Sequence, residues 1–216
     1  MTDTVHLYVF DGYSDWEPAF AIAAIHNPQY QREPGRWQVR TVGATRALVR
    51  SAGGVAVLPD MGMQELHAAG SRMLILPGGA RWEDPAAHLP AVKKAAAFVD
   101  ARVTVAAICG ATAGLARAGL LDHRAHTSNA LRYLKGTGYA GAANYRDEAA
   151  VRAGGLITAG GMAPLEFARE IFRALDLYAD AVLEAWYQLY KTGKSEYFAR
   201  LEQAAAEAQA AEMIEV

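Results

Sequence analysis

The chain has 216 residues, of which 52% are hydrophobic and 20% are charged, and its formal net charge is −2. This length suits one α/β domain with a large core, and the near-neutral charge argues against nucleic acid or an anionic membrane as the main partner. The single cysteine excludes an internal disulfide, and with so few thiols and scattered histidines a structural zinc site is not expected.

Strands and helices alternate along the chain. The predicted strands cover residues 5–10, 37–42, 73–76, 103–108 and 125–128, with two hairpins formed by 48–50 with 55–58 and by Val151 with 156–158. The predicted helices cover residues 16–26, 90–101, 112–121, 131–134 and 164–175. This order predicts a mostly parallel sheet covered by helices on both faces. We expect a single α/β domain over residues 1–216, with a C-terminal helical extension from about residue 177.

The only cysteine, Cys109, lies at an abrupt change from strand to helix. Residues 103–108 are β-branched or small and apolar, and helix-forming residues begin at Thr112. This is the geometry of a nucleophile elbow, in which a sharp turn lifts the reactive side chain above the sheet. The N-terminus of the next helix favours a thiolate there. We therefore expect a reactive Cys109; the alternative is a buried cysteine that acts as a small hydrophobic residue.

Two further motifs follow predicted strands. Glu17 comes shortly after the first strand, and Pro77-Gly78-Gly79 directly follows the strand over 73–76. Ligand sites in open parallel sheets lie beyond the carboxyl ends of the strands. The three motifs are therefore expected to meet, although a carboxylate in a first helical turn or a Pro-Gly-Gly turn alone is weak support for a site.

Small residues near Cys109 leave backbone N–H groups accessible to a substrate. Gly78, Gly79 and Gly110 are the candidates for an oxyanion hole and substrate-binding positions. Trp82, three residues after the second of these glycines, is a candidate wall of the same pocket, with a packing lid as the alternative.

These motifs resemble the ThiJ/PfpI superfamily, which has the class I glutamine amidotransferase-like fold. The resemblance extends from residue 5 to about residue 177. The segments that carry it are 12–17, 76–79, 107–110, 118–122 with Thr127-Ser128, and 157–161 leading into 165–168. It implies a flavodoxin-like three-layer sandwich, commonly dimeric, and a contact between Glu17 and the thiol of Cys109. Segments 81–83, 126–129 and 133–135 resemble a bacterial branch labelled amidotransferase-like or protease, without an established substrate.

A carboxyl group beside a thiolate has its own chemistry. The neighbouring negative charge keeps the proton on Glu17, which can then donate a hydrogen bond to the sulfur of Cys109. This stabilises the thiolate without a histidine, and it would also stabilise a sulfinate formed by oxidation. The resemblance accordingly implies either an enzyme or an oxidation sensor.

The general base of a Cys-His-Glu triad has no clear candidate. Gly110 stands where a Cys-His dipeptide would place a histidine, and Asn129 stands where the loop histidine of catalytic members is expected. His126 is the remaining candidate base, although a strand would direct positions 126 and 129 to opposite faces. Asn129 is instead a candidate to orient a substrate carbonyl or to hydrogen-bond an oxidised sulfur.

The expected function is that of a cysteine-dependent hydrolase or lyase for a small molecule, either an aldehyde, as in glyoxalase- or deglycase-like chemistry, or an amide. The alternatives are a non-catalytic oxidative-stress protein that senses redox state through Cys109 and a glutamine amidotransferase-like subunit. We expect no cofactor and no metal, and as partners a small-molecule substrate and a second copy in a homodimer, without nucleic acid or membrane. Because no leader pattern or long apolar run is found, a cytoplasmic location is expected.

Overall fold

The computed structural model describes the backbone of residues 2–214 and the side chains of residues 2–211. Its strands are β1 (Asp3–Tyr8), β2 (Trp37–Gly43), β3 (Val49–Arg50), β4 (Ala56–Val57), β5 (Met61–Gly62), β6 (Met73–Leu76), β7 (Thr104–Ile108), β8 (Ala150–Ala153) and β9 (Leu156–Ala159). Its α-helices are α1 (Trp16–His26), α2 (Leu89–Asp100), α3 (Gly110–Arg117), α4 (Leu131–Lys135), α5 (Pro164–Leu175), α6 (Asp180–Thr192) and α7 (Glu196–Ile214). Two 3₁₀ turns cover Ala80–Glu83 and Ala142–Asn144.

Seven strands form one sheet in the order β5-β2-β1-β6-β7-β9-β8, and β3 with β4 forms a separate hairpin. All pairings in the large sheet are parallel except β8 with β9. The carboxyl ends of the neighbouring strands β1, β6, β7 and β9 therefore lie at the same edge of the sheet. The segments that follow these four strands meet there, as the rule for open parallel sheets requires.

Helices cover both faces, which makes the molecule a flavodoxin-like three-layer α/β sandwich. Helices α1 and α5 pack together on one side, whereas α2 and α3 pack on β7 and on each other. The central strands β6 and β7 are buried along nearly their whole length, as expected for a parallel sheet covered on two faces. The buried positions of α5 recur at helical spacing and form one apolar stripe towards the sheet.

Aromatic residues attach the C-terminal helices to this core. Trp186 of α6 packs edge-on against Phe172 of α5, with ring centroids 4.9 Å apart, and is 5% exposed. Tyr178 joins the same cluster. The helical extension from about residue 177 therefore packs on the core through these aromatic rings.

Most predicted elements lie within two residues of the observed ones, and the differences are local. The helix after Cys109 begins at Gly110 and ends at Arg117, earlier than predicted at both ends. The strand predicted over 125–128 is wrong, because this segment forms only a single bridge between His126 and Tyr145. The two-residue strand β5 and both 3₁₀ turns are too short for a periodic pattern to reveal. Over residues 2–214, no helix has the length and apolarity needed to cross a membrane.

Candidate active site

Cys109 occupies a strained turn between β7 and α3. Its backbone has φ 56° and ψ −122°, a region that residues with a side chain rarely adopt. The flanking structure fixes this conformation, because the Cys109 N–H donates to the carbonyl of Ala159 at 3.0 Å. The hydroxyl of Thr112 donates back to the Cys109 carbonyl at 2.6 Å. Such strain, of order 1–3 kcal/mol, is typical of functional positions, and the turn has the form predicted for a nucleophile elbow.

Glu17 reaches the thiol from the first turn of α1. Its side chain is buried, with only 1% of the residue exposed, and it forms a hydrogen bond with the thiol of Cys109. The backbone N–H of Gly78 donates to Glu17 Oε2 at 2.6 Å. The contact between Glu17 and Cys109 is thus present in the structure. The Gly78 N–H is occupied by this carboxyl, so Gly78 is corrected from an oxyanion donor to a residue that holds Glu17.

Two glycines enclose the pair of Glu17 and Cys109 so closely that neither has room for a side chain. A Cβ atom on Gly78 would lie 2.7 Å from Cys109 Cβ and 2.7 Å from Glu17 Oε2. A Cβ atom on Gly161 would lie 2.9 Å from Cys109 Sγ and 3.3 Å from Glu17 Oε1. Glycine is therefore required at both positions by the close approach of the reactive groups.

Asn129 is the second side chain that contacts the sulfur. Its Nδ2 donates to Cys109 Sγ at 3.4 Å, and its Oδ1 accepts a hydrogen bond from the Gly161 N–H at 2.8 Å. The preceding residue is fixed to the elbow helix, since the hydroxyls of Ser128 and Thr112 lie 2.6 Å apart. Asn129 thus takes the place next to the thiol that a loop histidine would otherwise occupy.

Burial changes the acid strength of both reactive groups. It raises the pKa of the Glu17 carboxyl to about 7, although hydrogen bonds from Gly78, Cys109 and Ser14 oppose this shift. Burial also raises the pKa of the Cys109 thiol; the Asn129 hydrogen bond opposes this and the Glu17 carboxylate adds to it. The raised pKa of Cys109 favours the thiol, whereas the helix N-terminus alone predicts a thiolate. When Glu17 carries its proton, however, its repulsion of a thiolate is lost and the carboxyl can donate to the sulfur.

The sulfur faces a cavity of about 490 Å³ at the carboxyl edge of the sheet. Gly79 and Gly110 line it, and the Gly110 N–H hydrogen-bonds the Cys109 sulfur. Gly79 has φ 146°, and a Cβ atom there would lie 2.7 Å from the carbonyl oxygen of Gly12. Both glycines thus line the cavity that the sulfur faces.

Two predicted site residues lie elsewhere. Both ring nitrogens of His126 are engaged, Nδ1 with the Arg124 carbonyl at 2.8 Å and Nε2 with the Tyr139 hydroxyl at 3.2 Å, and its ring does not line the cavity. His126 is therefore corrected from candidate base to buried structural residue.

Trp82 is buried below α3, donates to the Pro77 carbonyl at 2.8 Å and stacks on His88, so it is a packing residue and not a wall of this cavity.

The cavity has further lining residues that the sequence did not single out as site residues. They are Ser14, Trp16, Ala80, Glu83, Tyr133, Gly160, Gly161 and Met162. Most of them follow a strand end or begin a helix, and this position in the chain is the signal that would have identified them. Within the described part of the chain, no three His, Cys, Asp or Glu residues are grouped in a way that would hold a metal ion.

Comparison with known proteins agrees with this geometry. The model of the DJ-1/PfpI family matches residues 3–174. The chain is 40% identical over 203 residues to the "Uncharacterized protease YoaZ" of Bacillus subtilis, covering 93% of this chain and 96% of that protein. It is 31% identical over 186 residues to the "Uncharacterized protease YdeA" of the same organism, covering 86% and 89%.

Solved structures support the same assignment. A thiJ/pfpI family protein from Bacillus anthracis superposes with a TM-score of 0.88 at 39% identity, covering 94% of this chain and 97% of that one. A DJ-1 superfamily protein from Agrobacterium tumefaciens superposes with a TM-score of 0.77 at 35% identity, covering 88% and 97%. With the fold, the cysteine elbow and these matches in agreement, the chain belongs to the DJ-1/PfpI family.

Proposed function

We propose that this protein is a cysteine-dependent enzyme for small carbonyl compounds, a hydrolase or lyase that prefers aldehydes to amides. The observation that supports this most directly is the nature of the group beside the thiol. It is a buried carboxyl whose pKa is raised to about 7, and none of the six histidines lines the cavity. A carboxyl that titrates near neutral pH can both accept and return a proton.

Addition of the thiol to an aldehyde needs only groups that surround Cys109. The sulfur forms a bond to the carbonyl carbon, and the C=O π electrons move to the oxygen. Glu17 takes the thiol proton and returns it to that oxygen, which gives a hemithioacetal. The backbone N–H of Gly79, which lines the cavity, is the candidate donor to the oxygen while it carries negative charge, since the Gly110 N–H already hydrogen-bonds the sulfur.

With an α-oxoaldehyde the same carboxyl completes the conversion. The Glu17 carboxylate removes the C–H proton of the hemithioacetal, and a proton is returned to the adjacent ketone carbon. The hydroxyl proton on the first carbon moves to the oxygen of the second, which leaves a thioester beside a hydroxyl group. The first carbon is thereby oxidised and the second reduced, so no external oxidant or reductant is needed. Water then hydrolyses the thioester on Cys109, which releases a 2-hydroxy acid and the free thiol.

Amide hydrolysis fits this site less well. The leaving nitrogen must receive a proton from a positioned acid while the sulfur attacks, the task that an imidazole performs in Cys-His enzymes. Here His126 is engaged elsewhere and Asn129 stands next to the sulfur. The same argument weighs against a glutamine amidotransferase-like subunit.

The decisive experiment measures conversion of methylglyoxal to lactate by NMR in the absence of added thiols, with glutamine and a fluorogenic peptide tested in parallel. Cys109→Ser and Glu17→Gln should each abolish lactate formation. Glu196→Gln, the same change in the exposed first turn of α7, should keep the wild-type rate. Hydrolysis of the peptide or glutamine without any conversion of methylglyoxal would overturn the preference for aldehydes. If no substrate is converted, the enzymatic proposal falls.

A non-catalytic redox role is the second candidate, and the donors around the sulfur favour it. The Asn129 amide, the Gly110 N–H and a protonated Glu17 carboxyl are all placed to hydrogen-bond sulfinate oxygens. Mass spectrometry after titration with hydrogen peroxide tests this role. Stoichiometric formation of a sulfinate in wild type, lost in Glu17→Gln, supports it; over-oxidation to the sulfonate in both proteins would contradict it.

A further inference from the structure

One side of the Cys109 cavity carries a second carboxyl that the proposed chemistry does not use. Glu83, in the 3₁₀ turn after β6, lines the cavity together with Tyr133 of α4. The Tyr133 hydroxyl donates to Glu83 Oε1 at 3.0 Å. This hydrogen bond joins two segments 50 residues apart in the chain and fixes the carboxylate at the cavity wall.

The cavity lining contains no positive charge to balance this carboxylate. Its two ionisable acids are Glu17 and Glu83, and it includes no lysine, arginine or histidine. Arg117 is near enough to act on Tyr133, but its guanidinium donates to the Trp82 carbonyl at 2.8 Å and lines a different cavity of about 120 Å³. An anionic substrate would therefore enter beside carboxylates, without a cation to receive it.

The mouth of the cavity is apolar. Trp16 is 54% exposed and Met162 is 98% exposed, and both line the cavity. Exposed apolar side chains of this size are typical of binding surfaces, because contact with a ligand removes them from water. The cavity thus offers apolar contact area and a fixed carboxylate.

We propose that Glu83, positioned by Tyr133, makes the Cys109 cavity select substrates that carry a cationic group over those that carry an anionic one, while Trp16 and Met162 contact their apolar part. This inference rests on the proposed function in that it names the class of carbonyl substrate: an aldehyde bearing a protonated amine ranks above a neutral one, and a carboxylate- or phosphate-bearing one ranks last. The effect of one exposed carboxylate is expected to be about two- to fivefold in rate, the range measured for surface charge pairs.

The test uses three thiol reagents that differ in charge, so that it does not depend on turnover. Each methanethiosulfonate forms a disulfide with Cys109 and releases methanesulfinate. The reagents carry a trimethylammonioethyl, a sulfonatoethyl or a methyl group. Each rate is divided by the rate of the same reagent with 2-mercaptoethanol, and the ratio of the cationic to the anionic reagent is compared between variants.

In wild type this normalised ratio should exceed one, and Glu83→Gln should lower it about two- to fivefold. Tyr133→Phe should lower it partway, because Glu83 loses the group that orients it. Asp84→Asn removes the same charge from the next residue, which does not line the cavity, and should leave the ratio unchanged. Salt of about 0.5 M should reduce the ratio in wild type by screening.

An unchanged ratio in Glu83→Gln, or an equal fall in Asp84→Asn, would overturn the assignment of Glu83. The neutral reagent separates this failure from failure of the proposed function, since it reports only whether the thiol is accessible. A ratio that responds to Glu83→Gln in a protein that converts no aldehyde would support the charge selection and contradict the carbonyl chemistry. A thiol that reacts with none of the reagents would contradict both.

Discussion

Asn129 links the cysteine elbow to the loop after β9: its Oδ1 accepts from the Gly161 N–H at 2.8 Å while its Nδ2 donates to Cys109 Sγ at 3.4 Å. Because a backbone N–H can only donate, this arrangement fixes which end of the amide faces Gly161 and therefore which end faces the sulfur. The side chain thus presents a donor to the thiol, and its own orientation is set by a backbone group.

Asn129→Asp should weaken the reactivity of the thiol. The carboxylate still accepts from Gly161, but it replaces the donor at the sulfur with a negative charge and thereby raises the pKa of Cys109 further. Alkylation by iodoacetamide at pH 8 should slow about tenfold, equivalent to one pKa unit. Asn27→Asp, the same change at an exposed position after α1, serves as the control. Equal rates in wild type and Asn129→Asp would exclude this role for the amide.

Glu17→Gln should stabilise the protein above neutral pH while it removes activity. The carboxyl titrates at about 7 in the folded state against 4.5 ordinarily, so the unfolded chain releases this proton first as pH rises. The wild-type protein therefore loses stability as pH rises from 4.5 to 7. Above about pH 7 its free energy of unfolding is lower by the full amount, roughly 1–3 kcal/mol. Urea unfolding at pH 8 should show this gain for the variant, and at pH 4 the two proteins should be equally stable.

Gly161→Ala should block the thiol without unfolding the protein. The new methyl group would lie 2.9 Å from Cys109 Sγ, and the surroundings must shift to admit it. We expect alkylation to slow at least about tenfold and stability to fall by about 1–3 kcal/mol. Gly70→Ala, where no atom lies within 4 Å of the added carbon, should leave alkylation unchanged. A wild-type alkylation rate in Gly161→Ala would mean that the loop after β9 moves away and leaves the sulfur accessible.

His126→Asn should reduce stability and leave the thiol unaffected. The replacement cannot span from the Arg124 carbonyl to the Tyr139 hydroxyl, so at least one buried polar group loses its partner, at a cost of about 1–3 kcal/mol. Thermal melting and the rate of iodoacetamide alkylation should therefore respond differently. If alkylation at pH 7 slowed at unchanged stability, His126 would act on Cys109 after all.

Two buried histidines should make the fold sensitive to acid. Burial lowers the pKa of His6 and of His88 to about 4, against 6.5 ordinarily. Between pH 6.5 and 4 the unfolded chain binds protons that the folded protein does not, so their contribution is complete above pH 6.5 and is lost as pH falls. Glu17 has the opposite slope, so unfolding is best measured in the Glu17→Gln background. There, replacing both histidines by glutamine should flatten the decline of stability over this range.

The backbone of the candidate site follows from local sequence. The change from an apolar strand to helix-forming residues located the elbow at Cys109, and the glycines after β6 were identified by position alone. The meeting of these segments with Glu17 results from the parallel order of the strands, which the alternation of strands and helices already implies.

The errors arise where the direction of a side chain depends on how neighbouring segments pack in three dimensions. Nothing near His126 in the chain shows that Tyr139 and the Arg124 carbonyl will take both of its nitrogens. Trp82 comes three residues after Gly79, yet it turns inward because it stacks on His88 and donates to the Pro77 carbonyl. The raised pKa of Cys109 depends on how deeply the sulfur is buried, which only the packed structure determines.

A chain with a single cysteine has few ways to recover from peroxide. A sulfenic acid on Cys109 finds no second thiol among these 216 residues with which to close a disulfide. Apart from condensation with a backbone nitrogen, it is either captured by a thiol that enters from solution or proceeds to the sulfinic acid, which ordinary cellular reductants do not reverse. Recovery of the thiol therefore depends on which reductants can pass the apolar mouth of the cavity at Trp16 and Met162.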